Sequence, residues 1–114
     1  MKKIVLLVTL FGLAAALSAK AADVKDNWDN LCAKCHGAEG KGDTKMGQKL
    51  GAKDFTDATV QAGLKDDDLT KAIKDGVKDD DGKTKMKPFV TGADTPLSDD
   101  EVKALVTYVR GLKK

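Results

Sequence analysis

The sequence predicts a small all-α domain with one helix near each end of the folded part and short helices and long loops between them. Apolar residues recur at helical spacing in residues 24–35 and again from residue 98 onward. Alternation of apolar and polar residues, which marks a half-buried strand, is absent, so we expect no sheet. The 114 residues are enough for one such domain, and no internal repeat divides them.

Residues 1–22 have the pattern of a cleaved secretory signal peptide, which leaves residues 23–114 as the folded domain. Lys2 and Lys3 give a charged start, an apolar run follows, and Ala19-Lys20-Ala21 is a small-residue cleavage site. The apolar run is short for a membrane span, so we expect no stable membrane anchor, although an uncleaved anchor is the alternative. The signal predicts export to the periplasm.

The mature domain is nearly neutral, and its core is thin. Without the three lysines of residues 1–22 the chain keeps 17 basic and 18 acidic residues, a formal charge of −1. This balance does not indicate binding to nucleic acid. Only four aromatic side chains remain, which is few for a stable domain of this size, so a large buried apolar cofactor would supply what the side chains do not. They are Trp28, Phe55, Phe89 and Tyr108.

The first half of the domain predicts one helix and one long loop. The helix is expected at residues 24–35, with Gly37 as its end. A glycine-rich loop is expected from Gly37 to about Asp54, followed by a short helical turn at residues 57–62. A structureless loop that long in a small domain usually has a purpose, and wrapping one side of a cofactor is such a purpose.

Two further helices are predicted in the second half. One helix is predicted at residues 66–75. It begins with three aspartates, which suit the positive N-terminal end of a helix, and Gly76 terminates it. The segment at residues 77–95 is polar and rich in turn residues. Ser98 and Glu101 form a capping box that opens the last helix. The apolar stripe of that helix is Val102, Leu105, Val106, Val109 and Leu112.

The stretch Cys32-Ala33-Lys34-Cys35-His36 carries the chemistry of the chain. It reads Cys-x-x-Cys-His, the attachment motif of a c-type haem. Two thiols form thioether bonds to the two vinyl groups of a porphyrin, and the adjacent imidazole then binds the iron. On a helix these spacings of three and four residues place Cys32, Cys35 and His36 on one face.

Other sites built on two nearby cysteines fit less well. A structural zinc site takes four ligands, mostly Cys or His, and the chain has two cysteines and one histidine in all. A thioredoxin-like pair follows a strand, and none is predicted before Cys32. A disulfide between Cys32 and Cys35 has poor geometry on a helix.

With these features the chain resembles the class I c-type cytochromes, which carry one haem with His and Met ligands. The shared features are the export signal, the early Cys-x-x-Cys-His, a late Met-x-Pro and the final amphipathic helix. The resemblance covers nearly all of residues 23–114. It implies a small cytochrome c fold with crossed terminal helices around one haem c, and it implies a soluble periplasmic electron carrier and not an enzyme. Relatives often orient the histidine with the carbonyl of a proline in the loop after the motif. The prolines of this chain are Pro88 and Pro96, outside that loop, so another backbone carbonyl is expected at His36.

The second axial ligand is predicted to be a methionine. Low-spin electron-transfer haems commonly pair His with Met, and after removal of Met1 the candidates are Met46 and Met86. Chain reach does not decide between them. Met86-Lys87-Pro88-Phe89 resembles the methionine loop of the family, so the resemblance favours Met86. The predicted iron ligands are therefore His36 and Met86.

We expect redox proteins as partners and a monomer as the working form. Partners are expected near the exposed haem edge, where lysines would attract an acidic surface; because acidic residues are interspersed, an ordinary solvated surface is the alternative. Two alternatives stay open: a haem subunit of a larger redox complex, and a gas-binding or catalytic haem protein whose sixth position is open. The lysines of the predicted rim are Lys34, Lys41, Lys45, Lys49, Lys53, Lys83, Lys85 and Lys87.

Overall fold

A computed structural model describes residues 23–114, and these residues form a mostly helical domain. Helix α1 occupies residues 23–36, with a π-helical turn at Trp28–Cys32 and an α-helical end at Ala33–His36. The predicted signal peptide lies outside the described residues. Among the residues described, no helix is both long and apolar enough to cross a membrane. The later elements are α2 (Lys45–Leu50), α3 (Ala58–Gly63), α4 (Asp66–Asp75), β1 (Val77–Lys78), β2 (Thr84–Met86) and α5 (Asp99–Arg110).

Most helix ends follow the local signals in the sequence. Gly37 ends α1 in a conformation with positive φ, and its N–H donates to Ala33 O at 2.8 Å. Ser98 and Glu101 form the expected capping box at the start of α5, with reciprocal bonds of 3.1 and 3.0 Å. The predicted turn before residue 63 is α3, capped by the Asp57 carboxylate.

The expectation of no sheet is wrong for one short ribbon. Strand β1 pairs antiparallel with β2, with Val77 opposite Met86. The turn between them is held by Asp79, whose Oδ1 accepts from the N–H groups of Asp81 and Lys83 at 2.9 Å each. Strands of two and three residues are too short to show alternation, and all but Met86 are exposed. The ribbon matters because it fixes where Met86 lies.

The expected structureless loop after α1 contains a helix, α2. Thr44 caps it, with Oγ1 accepting from Gly47 N–H at 2.9 Å, and the same hydroxyl donates to Cys35 O at 2.8 Å. A Cβ at Gly47 would overlap Cys35 O, so glycine allows α2 to touch the end of α1. A central glycine lowers helix propensity, which is why the sequence pattern does not reveal this helix.

The terminal helices pack against each other, as expected. The rings of Trp28 and Tyr108 lie 5.1 Å apart between α1 and α5, and Asn27 Nδ2 donates to Glu101 Oε2 at 3.0 Å. Trp28 and Leu105 are each only 1% exposed, so this contact is the centre of the core. Burial of large apolar side chains here stabilises the packing of the two helices.

One buried polar side chain joins α3 to α5. Gln61 is 5% exposed, and its Nε2 donates to Phe55 O at 2.7 Å and to Val109 O at 2.8 Å. Its Oε1 accepts from Arg110 Nη1 at 3.1 Å. Arg110 also donates to Leu64 O. The amide thus satisfies two main-chain carbonyls at once, a role that no sequence pattern signals.

Replacing Gln61 with leucine should destabilise the protein strongly for a single substitution. Gln61→Leu leaves Phe55 O without its side-chain donor and removes one of two donors to Val109 O, which keeps the Leu112 N–H. A lost bond to a buried group costs on the order of 1–3 kcal/mol. We expect the free energy of unfolding to fall by about 2–4 kcal/mol in denaturant titration. Gln48→Leu, on the exposed face of α2, is the control and should change it little. Equal effects from the two variants would contradict this account.

Candidate functional site

An apolar cavity lies between α1, α4, α5 and the ribbon. Its wall includes three of the four site residues predicted from the sequence: Cys32 and His36 from the motif, and Met86, which is fifty residues further along the chain. No charged side chain lines it. The other lining residues are Trp28, Phe55, Leu69, Ala72, Ile73, Leu105 and Val109.

His36 is held between two aromatic rings. Its ring centroid lies 5.1 Å from that of Phe55, in a stacked arrangement, and 5.8 Å from that of Trp28. Trp28 also anchors the neighbouring backbone, because its Nε1–H donates to Gly37 O at 3.1 Å. Packing therefore fixes the imidazole at the wall of the cavity.

Burial sets the protonation state of His36. It lowers the pKa of the imidazole below its ordinary value, because a charged ring loses hydration in an apolar site. The neutral ring, which is the form that binds a metal, therefore predominates at neutral pH. Nδ1 is buried without a hydrogen-bond partner among the described residues, so the expected backbone carbonyl is not found there.

The two cysteines have different positions. Cys32 is buried in the cavity wall, whereas Cys35 is half-buried and does not line the cavity. Burial raises the pKa of the Cys32 thiol to about 11, with a smaller contribution from the nearby Cys35. A thiol of that kind is a poor nucleophile at neutral pH, which is the opposite of a thioredoxin-like site.

A disulfide and a zinc site at the motif also lack support. Both cysteines carry free thiols, so they form no disulfide in this structure. Within residues 23–114, no group of three or more His, Cys, Asp or Glu side chains gathers to hold a metal ion. A zinc site at the motif would need such a group.

The two candidate methionines lie in different environments. Met86 is half-buried at the end of β2 and lines the same cavity as His36. Met46 lies on α2, is 39% exposed and does not line the cavity. Sequence spacing alone does not show which methionine lies near His36, because Met86 reaches the cavity through the ribbon, which forms only in the folded structure.

Sequence reasoning missed how the loop residues support the site. The sequence identifies Phe55 as one of the few aromatic residues and predicts no contact with the motif, yet its ring stacks on that of His36. Thr44 carried no predicted role, yet its hydroxyl binds the carbonyl of Cys35. Neither contact has a local signal, since each partner is nine or more residues away along the chain.

Comparison with known proteins gives a consistent result. A family model described as Cytochrome c matches residues 21–113. A solved structure named KustC0563 c-type cytochrome is 37% identical with a TM-score of 0.64, and the match covers 79% of this chain and 96% of that one. A mutant of Kustc0563 is 36% identical with a TM-score of 0.63, and the match covers 80% and 99%. No curated protein matches the chain.

Proposed function

Because the chain belongs to the cytochrome c family, we propose that it is a soluble, monomeric carrier that passes single electrons between partner proteins in the periplasm. Members of this family bind a covalent haem c through a cysteine pair and perform haem-based electron transfer. The periplasmic location is supported by the export pattern of residues 1–22. The observation that carries the proposal is the one cavity shared by Cys32, His36 and Met86.

The residues of the cavity fit a haem. Its wall is apolar, as a porphyrin face requires, and a neutral imidazole and a thioether are suitable donors for haem iron. Cys32 and Cys35, the only cysteines of the chain, would tether the macrocycle. When bound, the haem supplies an iron that changes between the ferric and ferrous states. The chain holds and orients it and keeps water away.

The two proposed iron ligands favour a carrier over an enzyme. If His36 and Met86 both bound the iron, no position on it would be left open for a substrate. Catalysis at the iron, or gas binding, would need such a position. The same two ligands in both oxidation states keep the site unchanged, which suits electron transfer between proteins.

Eight exposed lysines form the proposed docking surface for an acidic partner, here called the lysine surface. Helix α2 contacts the end of α1 at Cys35 O, and Lys85 Nζ lies near Gly51 at the end of α2. These contacts bring the two lysine-bearing segments to the same end of the molecule as the motif. Complementary charge speeds the encounter of such partners. The members are Lys34, Lys41, Lys45, Lys49, Lys53, Lys83, Lys85 and Lys87, all exposed.

Electron exchange with a small anionic iron complex should slow as salt rises. The net charge of residues 23–114 is −1, so the whole molecule would repel the anion, and salt would then speed the reaction. If the lysine surface attracts the anion, the rate falls as salt rises, because salt screens that attraction over about 8–10 Å at ordinary ionic strength. Stopped-flow rates with the purified haem protein, measured against ionic strength, test this.

A matched pair of double variants locates the effect. Lys49→Gln with Lys85→Gln should slow exchange with the anionic complex and flatten its salt dependence. Lys71→Gln with Lys103→Gln removes the same charge from exposed positions on α4 and α5 and should leave both nearly unchanged. A rate that rises with salt, or equal effects from the two pairs, would contradict docking at the lysine surface.

A further inference from the structure

The backbone around Met86 lies directly against the end of α4. Gly76 follows α4 with φ of +77°, and its Cα faces the chain from Met86 to Pro88. A Cβ built at Gly76 would lie 2.5 Å from Met86 O, 2.9 Å from Pro88 N and 3.1 Å from Lys87 C. All three are main-chain atoms, which cannot give way as a flexible side chain can.

The same end of α4 holds the residues after Met86 by hydrogen bonds. The last carbonyls of a helix lack partners within it, and here residues beyond the ribbon supply them. Phe89 N–H donates to Ile73 O at 2.9 Å, and Thr91 N–H donates to Lys74 O at 3.0 Å. The Thr91 hydroxyl donates to Asp75 Oδ1 at 2.6 Å. The chain that follows Met86 is therefore fixed to α4.

From this arrangement we propose that the C-terminal end of α4 is the element that positions the second iron ligand, and that Gly76 is its positioning residue. Gly76 allows the Met86 backbone to approach α4 closely enough for the side chain to lie in the cavity. This inference rests on the proposed role of Met86. Gly76 does not line the cavity, so it would act on the iron only through Met86.

A second glycine separates this role from a simple backbone preference. Gly82 lies in the turn of the same ribbon with φ of +81°, and nothing lies within 4 Å of a Cβ built there. Alanine meets backbone strain at both positions because both have positive φ, and Gly76, with ψ of −177°, has a conformation that essentially only glycine adopts. Only alanine at Gly76 also displaces the backbone of Met86.

The test uses the haem-loaded protein and spectroscopy. We expect ferric Gly76→Ala to lose most of the weak far-red band of a methionine–iron bond, and its ferrous form to bind carbon monoxide. Gly82→Ala should keep the band and exclude carbon monoxide, even if it melts at a lower temperature. A Gly76→Ala protein with the full band, or equal loss in both variants, overturns the proposal.

A milder variant and its control provide a second test if Gly76→Ala does not fold or does not acquire haem. Thr91→Val removes the hydroxyl bond to Asp75, whereas Thr70→Val removes a bond to Asp66 O that does not involve the methionine segment. Thr91→Val should bind added imidazole in the ferric state about two- to tenfold more tightly than Thr70→Val, as loss of one hydrogen bond predicts. Equal affinities overturn the proposal.

Met86→Ala serves as the reference for both comparisons. If Met86→Ala keeps the far-red band, the ligand assignment is wrong and the positioning role falls with it. If Met86→Ala loses the band but Gly76→Ala keeps it, only the positioning role is overturned.

Discussion

Met86→Ala protein should keep its covalent haem, lose the far-red band of the ferric form and bind carbon monoxide near-stoichiometrically once reduced. The wild-type protein should bind carbon monoxide poorly near neutral pH if, as proposed, the Met86 sulfur binds the iron. Methionine sulfur is a soft, neutral ligand that favours ferrous iron. The reduction potential of Met86→Ala should therefore fall below that of wild type, which redox titration followed by absorbance measures.

Met46→Ala is the matched control for this result. Its side chain is exposed on α2 and does not line the cavity, so its spectrum and potential should match those of wild type. If Met46→Ala opens the site and Met86→Ala does not, the carrier function survives and the ligand assignment fails. If wild type already binds carbon monoxide quickly, the haem has an open position, and a gas-binding or catalytic function replaces the carrier.

Protein made without haem, as Cys32→Ala with Cys35→Ala, should not unfold cooperatively. Of the ten buried apolar side chains of the described core, seven also line the cavity. The core and the haem pocket are thus largely the same residues, so a chain without haem lacks the surface against which they pack. A cooperative domain of this size absorbs about 60 kcal/mol on melting. Calorimetry should show no such transition, and circular dichroism should show a broad loss of helix.

The haem-loaded wild type, scanned under the same conditions, is the control and should melt sharply. The two alanines themselves remove little apolar volume, so they do not account for a complete loss of cooperativity. A sharp, native-like transition in the haem-free double variant would show that the side chains alone sustain the fold. The thin-core argument would then be wrong.

The sequence revealed those elements whose signals are local. Ser98 and Glu101 cap α5, and Gly37 ends α1. Each of these signals involves residues within one helical turn, so the sequence pattern is sufficient to predict them. Helix α2 and the ribbon depend on contacts between distant residues. The hydrogen bond between Thr44 and Cys35 stabilises α2, and the pairing of Val77 with Met86 stabilises the ribbon. Intrinsic propensity alone predicts loops for both segments. The π-helical turn before Cys32 also has no local signal.

The same division applies to the site. Cys32, Cys35 and His36 form a compact motif and were found together, although only Cys32 and His36 line the cavity. Met86 could be chosen over Met46 only by resemblance to a family, because reach along the chain allowed both. Gly76 was recognised as a helix end, but its contact with the Met86 backbone becomes visible only once the ribbon is folded.

The position of Trp28 also determines what its fluorescence would report. Trp28 is the only tryptophan of the chain, and its ring lies 5.8 Å from that of His36, so an attached haem quenches its emission in the folded protein. It is also four residues from Cys32. Even a fully extended chain keeps it within about 14 Å of that tether, close enough for a haem to quench it after unfolding. Tryptophan emission therefore distinguishes chains that have acquired haem from chains that have not, and it responds little to unfolding.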